Sequence, residues 1–251
     1  MERLMKKLEN REKIFATTSS FFGWTGILSK MKNDVLDFLI FDLEHGHFGF
    51  ETTENMIRYC NLIGIPAIVR VADTEYFLMS KVLDFGADGI LVPRVETVEQ
   101  AKKAIDSVRF PPVGKKGCGG LSLLRGENAF ERFNKEKLIF LQIESPKGVE
   151  NLPGMMEIGR DEFAGVIIGP TDLTITMEKP FEYMDPEVIA MVEKVLDICL
   201  RNGKSCGIFC DGEEQVRFWR NKGMNIIWSG ADIGFFTKAY NEFCEFIKKL
   251  D

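Results

Sequence analysis

Ionisable side chains follow four of the short apolar runs in this sequence, at positions where the strands of a parallel sheet would end. Carboxylates, an imidazole and a guanidinium can between them transfer protons, bind a metal ion and hold an anionic substrate. Because parallel strands of a barrel deliver their carboxyl ends to one rim, these groups are expected to meet at one site. They are Asp42, Glu44 and His45 after the first run, Arg70 after the second, Glu144 after the third and Asp172 just beyond the fourth.

Glu144 and Asp172 would end neighbouring strands, so their carboxylates could face each other across a few ångströms. Two carboxylates that close repel each other, which raises the pKa of one of them. A hard divalent cation relieves the repulsion, and carboxylate, water and substrate oxygens suit Mg²⁺ or Mn²⁺. The alternative is that both residues form ordinary salt bridges at the rim of the sheet.

The chain has two histidines, His45 and His47, both directly after the strand that ends near Asp42. An imidazole paired with a carboxylate is a suitable general base, because the carboxylate fixes the tautomer and stabilises the cation. We therefore predict that His45 and Asp42 form such a pair. The alternative is a loop histidine that is simply solvated, and His47 is given no role.

Arg70 ends a strand that is otherwise apolar, and Asp84 lies at the predicted end of a helix. A guanidinium at a buried strand end requires an anion, which could be a protein carboxylate or the carboxylate of a substrate. A carboxylate at a helix carboxyl end is unfavourable for the helix dipole, so Asp84 is expected to have a specific partner, either Arg70 or His45. The glycine-rich segment 115–120 carries two lysines that could cradle an anion, but it lacks the spacing of a phosphate-binding P-loop.

Short apolar runs alternate with amphipathic helical patterns along the chain, which is typical of a parallel sheet flanked by helices. Eight such runs predict a (β/α)8 barrel, a fold of about 250 residues, and an open doubly wound sheet is the alternative. The predicted strands are 14–18, 38–41, 67–71, 89–92, 139–143, 165–168, 205–209 and 226–228. The predicted helices are 52–62, 75–84, 97–107, 148–158, 186–201, 213–222 and 232–249.

Two segments lie outside this alternation: an extra N-terminal segment and a long stretch at 110–137 in the fourth β/α unit, after strand 4. The second is long enough for a compact fold to suggest a function. No linker or low-complexity tract interrupts the chain. Residues 1–251 are therefore predicted to form one barrel domain.

The composition excludes several classes of protein. A net charge of −6, from 32 basic and 38 acidic residues, argues against binding to nucleic acid or to an anionic membrane surface. No apolar run approaches the roughly 18 residues of a membrane span. The six cysteines form no C-x-x-C pair and are interpreted as reduced thiols of a cytoplasmic protein.

The residues together resemble the HpcH/HpaI aldolases, metal-dependent class II pyruvate aldolases of the 4-hydroxy-2-oxo-acid and 2-dehydro-3-deoxyglucarate type. The resemblance runs from Phe38 to Gly230. It rests on 41–46 (Phe-Asp-Leu-Glu-His-Gly), 68–70 (Ile-Val-Arg), 83–87 (Leu-Asp-Phe-Gly-Ala), 91–93 (Leu-Val-Pro), 110–114 (Phe-Pro-Pro-Val-Gly), 141–144 (Leu-Gln-Ile-Glu) and 168–173 (Ile-Gly-Pro-Thr-Asp-Leu).

The resemblance implies a barrel that assembles into trimers or hexamers and uses Mg²⁺ or Mn²⁺, with Co²⁺ as a further candidate. It implies that Glu144 and Asp172 bind the metal and that His45 and Asp42 form the acid/base pair. It also implies that Asp84 belongs to the network supporting catalysis. The implied substrate contacts are Arg70, Gln142 and the backbone of Gly169, Pro170, Thr171 and Asp172.

By the same resemblance the reaction is the reversible cleavage of a 4-hydroxy-2-oxo acid into pyruvate, or a related 2-oxo acid, and an aldehyde. The proton would go to His45, and the metal and Arg70 would stabilise the enolate. Two alternatives remain. One is an enzyme on the same fold that cleaves citryl or malyl thioesters or condenses an enolate. The other is a non-catalytic barrel that binds a 2-oxo acid.

Overall fold

Eight parallel strands, hydrogen-bonded in chain order, close into a barrel in the computed structural model, which describes residues 1–250. The strands are β1 (Ile14–Ser19), β2 (Phe38–Asp42), β3 (Ala67–Arg70), β4 (Gly89–Val92), β5 (Leu138–Ile143), β6 (Gly165–Ile168), β7 (Ser205–Cys210) and β8 (Ile226–Ala231). The barrel closes because β1 pairs with β8 as well as with β2. The predicted (β/α)8 barrel is confirmed, and the open-sheet alternative is wrong.

Eleven α-helices accompany the strands within residues 1–250. They are α1 (Glu2–Glu9), α2 (Gly26–Met31), α3 (Phe50–Ile63), α4 (Tyr76–Asp84), α5 (Val98–Val108), α6 (Ala129–Glu136), α7 (Pro146–Ile158), α8 (Pro170–Thr176), α9 (Pro186–Arg201), α10 (Glu213–Lys222) and α11 (Asp232–Lys248). None of these helices is both long enough and apolar enough to cross a bilayer.

Every predicted strand and helix is present, with ends that differ by a few residues. The extra N-terminal segment is α1, whose Leu4 and Leu8 pack on the interior cluster of the barrel. The long segment follows α5, not β4 directly, and it is not entirely loop, because it contains a 3-10 turn and α6. Phe133 anchors α6 in the core, a long-range contact that no local pattern predicted. The assignment of residues 1–251 to one domain stays a prediction.

Alternate residues of each strand point into the barrel, as strand geometry requires. A stacked pair, Phe38 on β2 and Phe140 on β5, lies at the centre of the interior cluster, with ring centroids 5.8 Å apart. At the next inward-facing position towards the carboxyl ends, the strands carry Asp42 on β2, Arg70 on β3 and Gln142 on β5. The same pattern that fills the core therefore places polar side chains at its upper end.

Phe140→Ala is expected to lower the free energy of unfolding by about 3–5 kcal/mol, because it removes a fully buried ring and leaves a cavity against Phe38. Urea denaturation followed by circular dichroism measures the loss. Phe77→Ala on α4 is the matched control, since Phe77 is 56% exposed and should change stability by no more than about 0.5 kcal/mol. Equal losses in the two variants would contradict the interior role of Phe140.

Candidate active site

A buried ion pair joins the ends of β2 and β3, where Asp42 and Arg70 lie side by side in register. Arg70 donates from Nε to Asp42 Oδ1 at 2.8 Å and from Nη2 to Oδ2 at 2.6 Å, a bidentate arrangement. Burial alone would raise the pKa of Asp42, but the hydrogen bonds and the charge of Arg70 bring that pKa below its usual value. The carboxylate is therefore ionised and fixed.

The turn after β2 is held by the same carboxylate. Asp42 Oδ1 accepts the backbone amides of Glu44 at 3.0 Å and His45 at 3.3 Å. The predicted contact between the His45 imidazole and Asp42 is not formed, because Arg70 and these amides occupy the carboxylate. Instead, His45 Nε2 lies 3.8 Å from Glu44 Oε1, and the imidazole is 64% exposed at the mouth of the barrel.

Glu44 lies inside the site, although the sequence predicts no specific function for it. Its Oε2 is buried 3.3 Å from Arg70 Nη1, yet it accepts no directed hydrogen bond from any residue in 1–250. Burial raises the pKa of Glu44, and the negative charges of Asp42 and Asp172 add to this, against the opposing effect of Arg70 and His45. Its spacing, two residues beyond the inward-facing Asp42, is the sequence feature that could have predicted its place in the site.

Glu144 is buried beyond the end of β5 beside Gln142. Its Oε1 accepts the backbone amide of Arg94 at 2.7 Å, and its Oε2 accepts a hydrogen bond from Gln142 Nε2. Burial, together with the charges of Glu44 and Asp172, raises the pKa of Glu144 to about 7, although both hydrogen bonds act in the opposite direction. A carboxyl group whose pKa is raised by burial and by neighbouring carboxylates is a candidate functional group.

The segment after β6 lies against this carboxylate. A Cβ on Gly169 would overlap Glu144 Oε2 and lie 2.8 Å from Gln142 Nε2, so only glycine leaves room for both side chains. Pro170 begins α8, and Asp172 is exposed in its first turn. Thr171 Oγ1 lies 3.3 Å from the hydroxyl of Tyr183.

The charge balance of the site fits a divalent cation. The negative charge of Asp172 raises the pKa of both Glu44 and Glu144, and the charge of Glu44 also raises the pKa of Glu144. The positive charge of Arg70 is already paired with Asp42. Gln142 Oε1 is a buried acceptor that no residue in 1–250 satisfies. No group of three or more His, Cys, Asp or Glu side chains within residues 1–250 is placed to hold a metal ion. Two carboxylates with room for water and substrate oxygens are, however, sufficient for Mg²⁺.

Asp84 lies apart from these residues, at the end of α4 on the outside of the barrel. Its Oδ1 binds Lys116 Nζ at 2.7 Å, and Lys116, which is fully buried, also donates to Ser80 Oγ at 3.0 Å. The lysine packs over the rings of Phe110 and Phe133. The expected contact of Asp84 with Arg70 or His45 is thus not formed within the chain, because Lys116 supplies a nearer cation and offsets the helix dipole.

The remaining residues singled out in the sequence have partners in the chain. His47 packs edge-on against Phe21, with ring centroids 4.2 Å apart, and its amide binds Ser20 O. Lys115 pairs with Asp106 at 2.8 Å. Neither residue contributes a charge to the carboxylate site.

Comparison with known proteins agrees with this geometry. The model of the HpcH/HpaI aldolase/citrate lyase family matches residues 25–239. The chain is 28% identical over 235 residues to the 5-keto-4-deoxy-D-glucarate aldolase of Klebsiella pneumoniae, covering 90% of this chain and 91% of that protein. It is 29% identical over 208 residues to the 2-keto-3-deoxy-L-rhamnonate aldolase of the same organism, covering 81% and 77%.

The fold also matches a solved structure, that of an HpcH/HpaI aldolase from Desulfitobacterium hafniense. The TM-score is 0.91 at 24% identity, and the match covers 98% of this chain and 96% of that one. The family match spans most of the barrel and includes every residue of the carboxylate site. The chain therefore belongs to the HpcH/HpaI aldolase/citrate lyase family.

Proposed function

We propose that this member of a family of carbon–carbon lyases is a metal-dependent aldolase that reversibly cleaves a 4-hydroxy-2-oxo acid into pyruvate, or a related 2-oxo acid, and an aldehyde. The observation that carries the proposal is the group of carboxylates beside one oriented guanidinium. Both similar proteins named above are aldolases of keto-deoxy acids, which supports a 2-oxo acid as the substrate class.

Glu144 and Asp172 would hold the cation, Mg²⁺ or Mn²⁺ with Co²⁺ as a further candidate, and Gln142 would line its site. When bound, the cation supplies Lewis acidity to the keto oxygen of the substrate. The substrate carboxylate would lie along the backbone from Gly169 to Asp172, where the amides of Thr171 and Asp172 have no acceptor within α8. Pro170 has no N–H, and the amide of Gly169 donates to Ile143 O. The buried acceptors Glu44 Oε2 and Gln142 Oε1 support an ionic or hydrated occupant.

Arg70 stabilises the negative charge that develops on the keto oxygen as the C3–C4 bond breaks. Its orientation is set in advance by Asp42, so little rearrangement is needed when the charge appears. His45 takes the proton of the C4 hydroxyl, directly or through one water, while the electrons of the C3–C4 bond pass into the enolate. The imidazolium of His45 then returns that proton, directly or through water, to C3 of the enolate, which gives pyruvate and restores the neutral imidazole. Glu44, 3.8 Å from the imidazole, stabilises its cationic form.

Further properties follow from the surface and the cysteines. The aromatic side chains exposed on α11 form an apolar surface that supports assembly into a homo-oligomer, a trimer or hexamer. They are Phe235, Phe236, Tyr240, Phe243 and Phe246. All six cysteines are free thiols within the described residues, which supports a cytoplasmic location. The net charge of −6 favours small-molecule partners over nucleic acid or membrane.

Pyruvate is expected to exchange its methyl protons with D2O in the presence of the protein and Mg²⁺ or Mn²⁺, because the site stabilises the enolate. Proton NMR follows the exchange, and release of pyruvate from 4-hydroxy-2-oxo acids follows cleavage. Arg70→Lys is expected to slow both by about 10²-fold or more, since a single ammonium does not reproduce the fork that Asp42 holds.

The control for that variant is Arg58→Lys, in which the altered guanidinium pairs with Glu54 on the exposed surface of α3. It should retain full activity. Binding of pyruvate without exchange would favour the non-catalytic barrel. Cleavage of citryl or malyl thioesters in place of hydroxy-oxo acids would favour the other alternative, and either result would contradict the proposed reaction.

Gly169→Ala is expected to weaken Mn²⁺ binding by about 10–100-fold, because the new methyl group displaces the carboxylate of Glu144. Electron paramagnetic resonance of free Mn²⁺ measures the affinity without reference to turnover. Gly49→Ala is the control, since a Cβ at Gly49 meets open space and its φ of −86° suits alanine. Unchanged Mn²⁺ affinity in Gly169→Ala, with the fold intact, would place the metal elsewhere.

A further inference from the structure

Trp228 lies beneath the guanidinium of Arg70, at the upper end of the barrel interior. The Cζ of Arg70 is 5.3 Å from the centre of the indole ring, within the range of a cation–π contact. Trp228 is 4% exposed and belongs to the interior cluster of the barrel. A tryptophan could fill this space simply as a large apolar side chain, so its role depends on how it is held.

Two contacts fix the orientation of the indole. Its Nε1 donates a hydrogen bond of 2.6 Å to Thr18 Oγ1 on β1. The ring of Phe209 on β7 meets it edge-on, with centroids 5.1 Å apart and an interplanar angle of 79°. The indole is thus anchored on strands on both sides of β8.

The guanidinium of Arg70 is contacted by carboxylates at its edge and by the indole at its face. Asp42 occupies one edge of the guanidinium, and Glu44 lies 3.3 Å from Nη1. Asp42 fixes the direction in which the fork points, but two in-plane hydrogen bonds leave the group free to tilt out of the plane. The indole face, packed against the guanidinium, restricts that tilt. The face and edge contacts together define the position at which an anion can meet Nη1.

We propose that Trp228 is a positioning residue for Arg70, holding the guanidinium at the height at which it meets a bound 2-oxo acid, and that its indole senses occupation of the site. The inference rests on the proposed function, since it takes a 2-oxo acid to be the ligand of Arg70. An anion that arrives at the guanidinium changes the electric field across the indole below it, and indole emission responds to such a field.

Trp228→Phe and Trp228→Leu separate the two roles. Phenylalanine keeps an aromatic face beneath Arg70 and loses the hydrogen bond to Thr18, whereas leucine keeps only apolar filling. We expect the affinity for pyruvate in the presence of Mg²⁺, measured by isothermal titration calorimetry, to fall about tenfold in the leucine variant. Phenylalanine should restore most of that affinity. Thr18→Val, which removes the acceptor of the indole N–H, should weaken binding about threefold and keeps the test open if the leucine variant fails to fold.

Fluorescence provides a readout that a space-filling role would not affect. The chain has three tryptophans, Trp24, Trp219 and Trp228. Saturating pyruvate with Mg²⁺ should change the emission of the wild-type protein, and Trp228→Phe should abolish that change. Trp219→Phe, which alters a ring on α10 packed in the core cluster outside the barrel interior, should retain both the emission change and the affinity.

Wild-type affinity and turnover in Trp228→Leu, with a loss of stability alone, would overturn the inference and make the indole a filler. An emission change that survives Trp228→Phe would also overturn it, because another tryptophan would then be the sensor. In both cases calorimetric binding to the wild-type protein leaves the proposed function standing. A wild-type protein that binds no pyruvate calorimetrically would contradict the proposed function, and the inference with it.

Discussion

The bidentate pair between Asp42 and Arg70 is the interaction on which the rest of the site depends. It fixes the guanidinium, and through the same carboxylate it also fixes the turn that carries Glu44 and His45. A buried ion pair is a costly way to stabilise a barrel, because well-packed apolar side chains do so at least as well. The proposed function would account for this pair at the end of two adjacent strands, because it provides a directed positive charge in a setting that is otherwise negative.

That negative setting would favour a cation over a free anion. Burial is the main cause of the elevated pKa of Glu144, and the charges of Glu44 and Asp172 raise that pKa further. A free anion would be repelled from such a site, whereas a cation would enter and reverse the local field. In the proposed function, an anionic substrate would then be attracted by the cation and by Arg70 together. Electrostatics alone would therefore favour binding of the cation before the substrate.

The barrel and much of the site could be predicted because both follow local rules. Apolar runs mark the strands, and the inward alternation that ends in Asp42, Arg70 and Gln142 has a period of two. The side-chain partners in the loops could not be predicted. Asp84 meets Lys116, 32 positions away, and the imidazole of His45 turns to Glu44 because the oxygens of Asp42 are already engaged. Such choices depend on competition between distant groups, which spacing does not reveal.

The contact between Trp228 and Arg70 in the core could not be predicted from the sequence either. In the sequence Trp228 ends an apolar run, which is typical of a core residue, and nothing local connects β8 with Arg70 on β3. Only closure of the barrel brings them together, with Asp42 at the edge of the guanidinium and the indole at its face. In the proposed function, the charge that would receive the 2-oxo acid is thus held mainly by strands, which are rigid. The aldehyde end would be bordered by loops, and those loops could vary without moving Arg70.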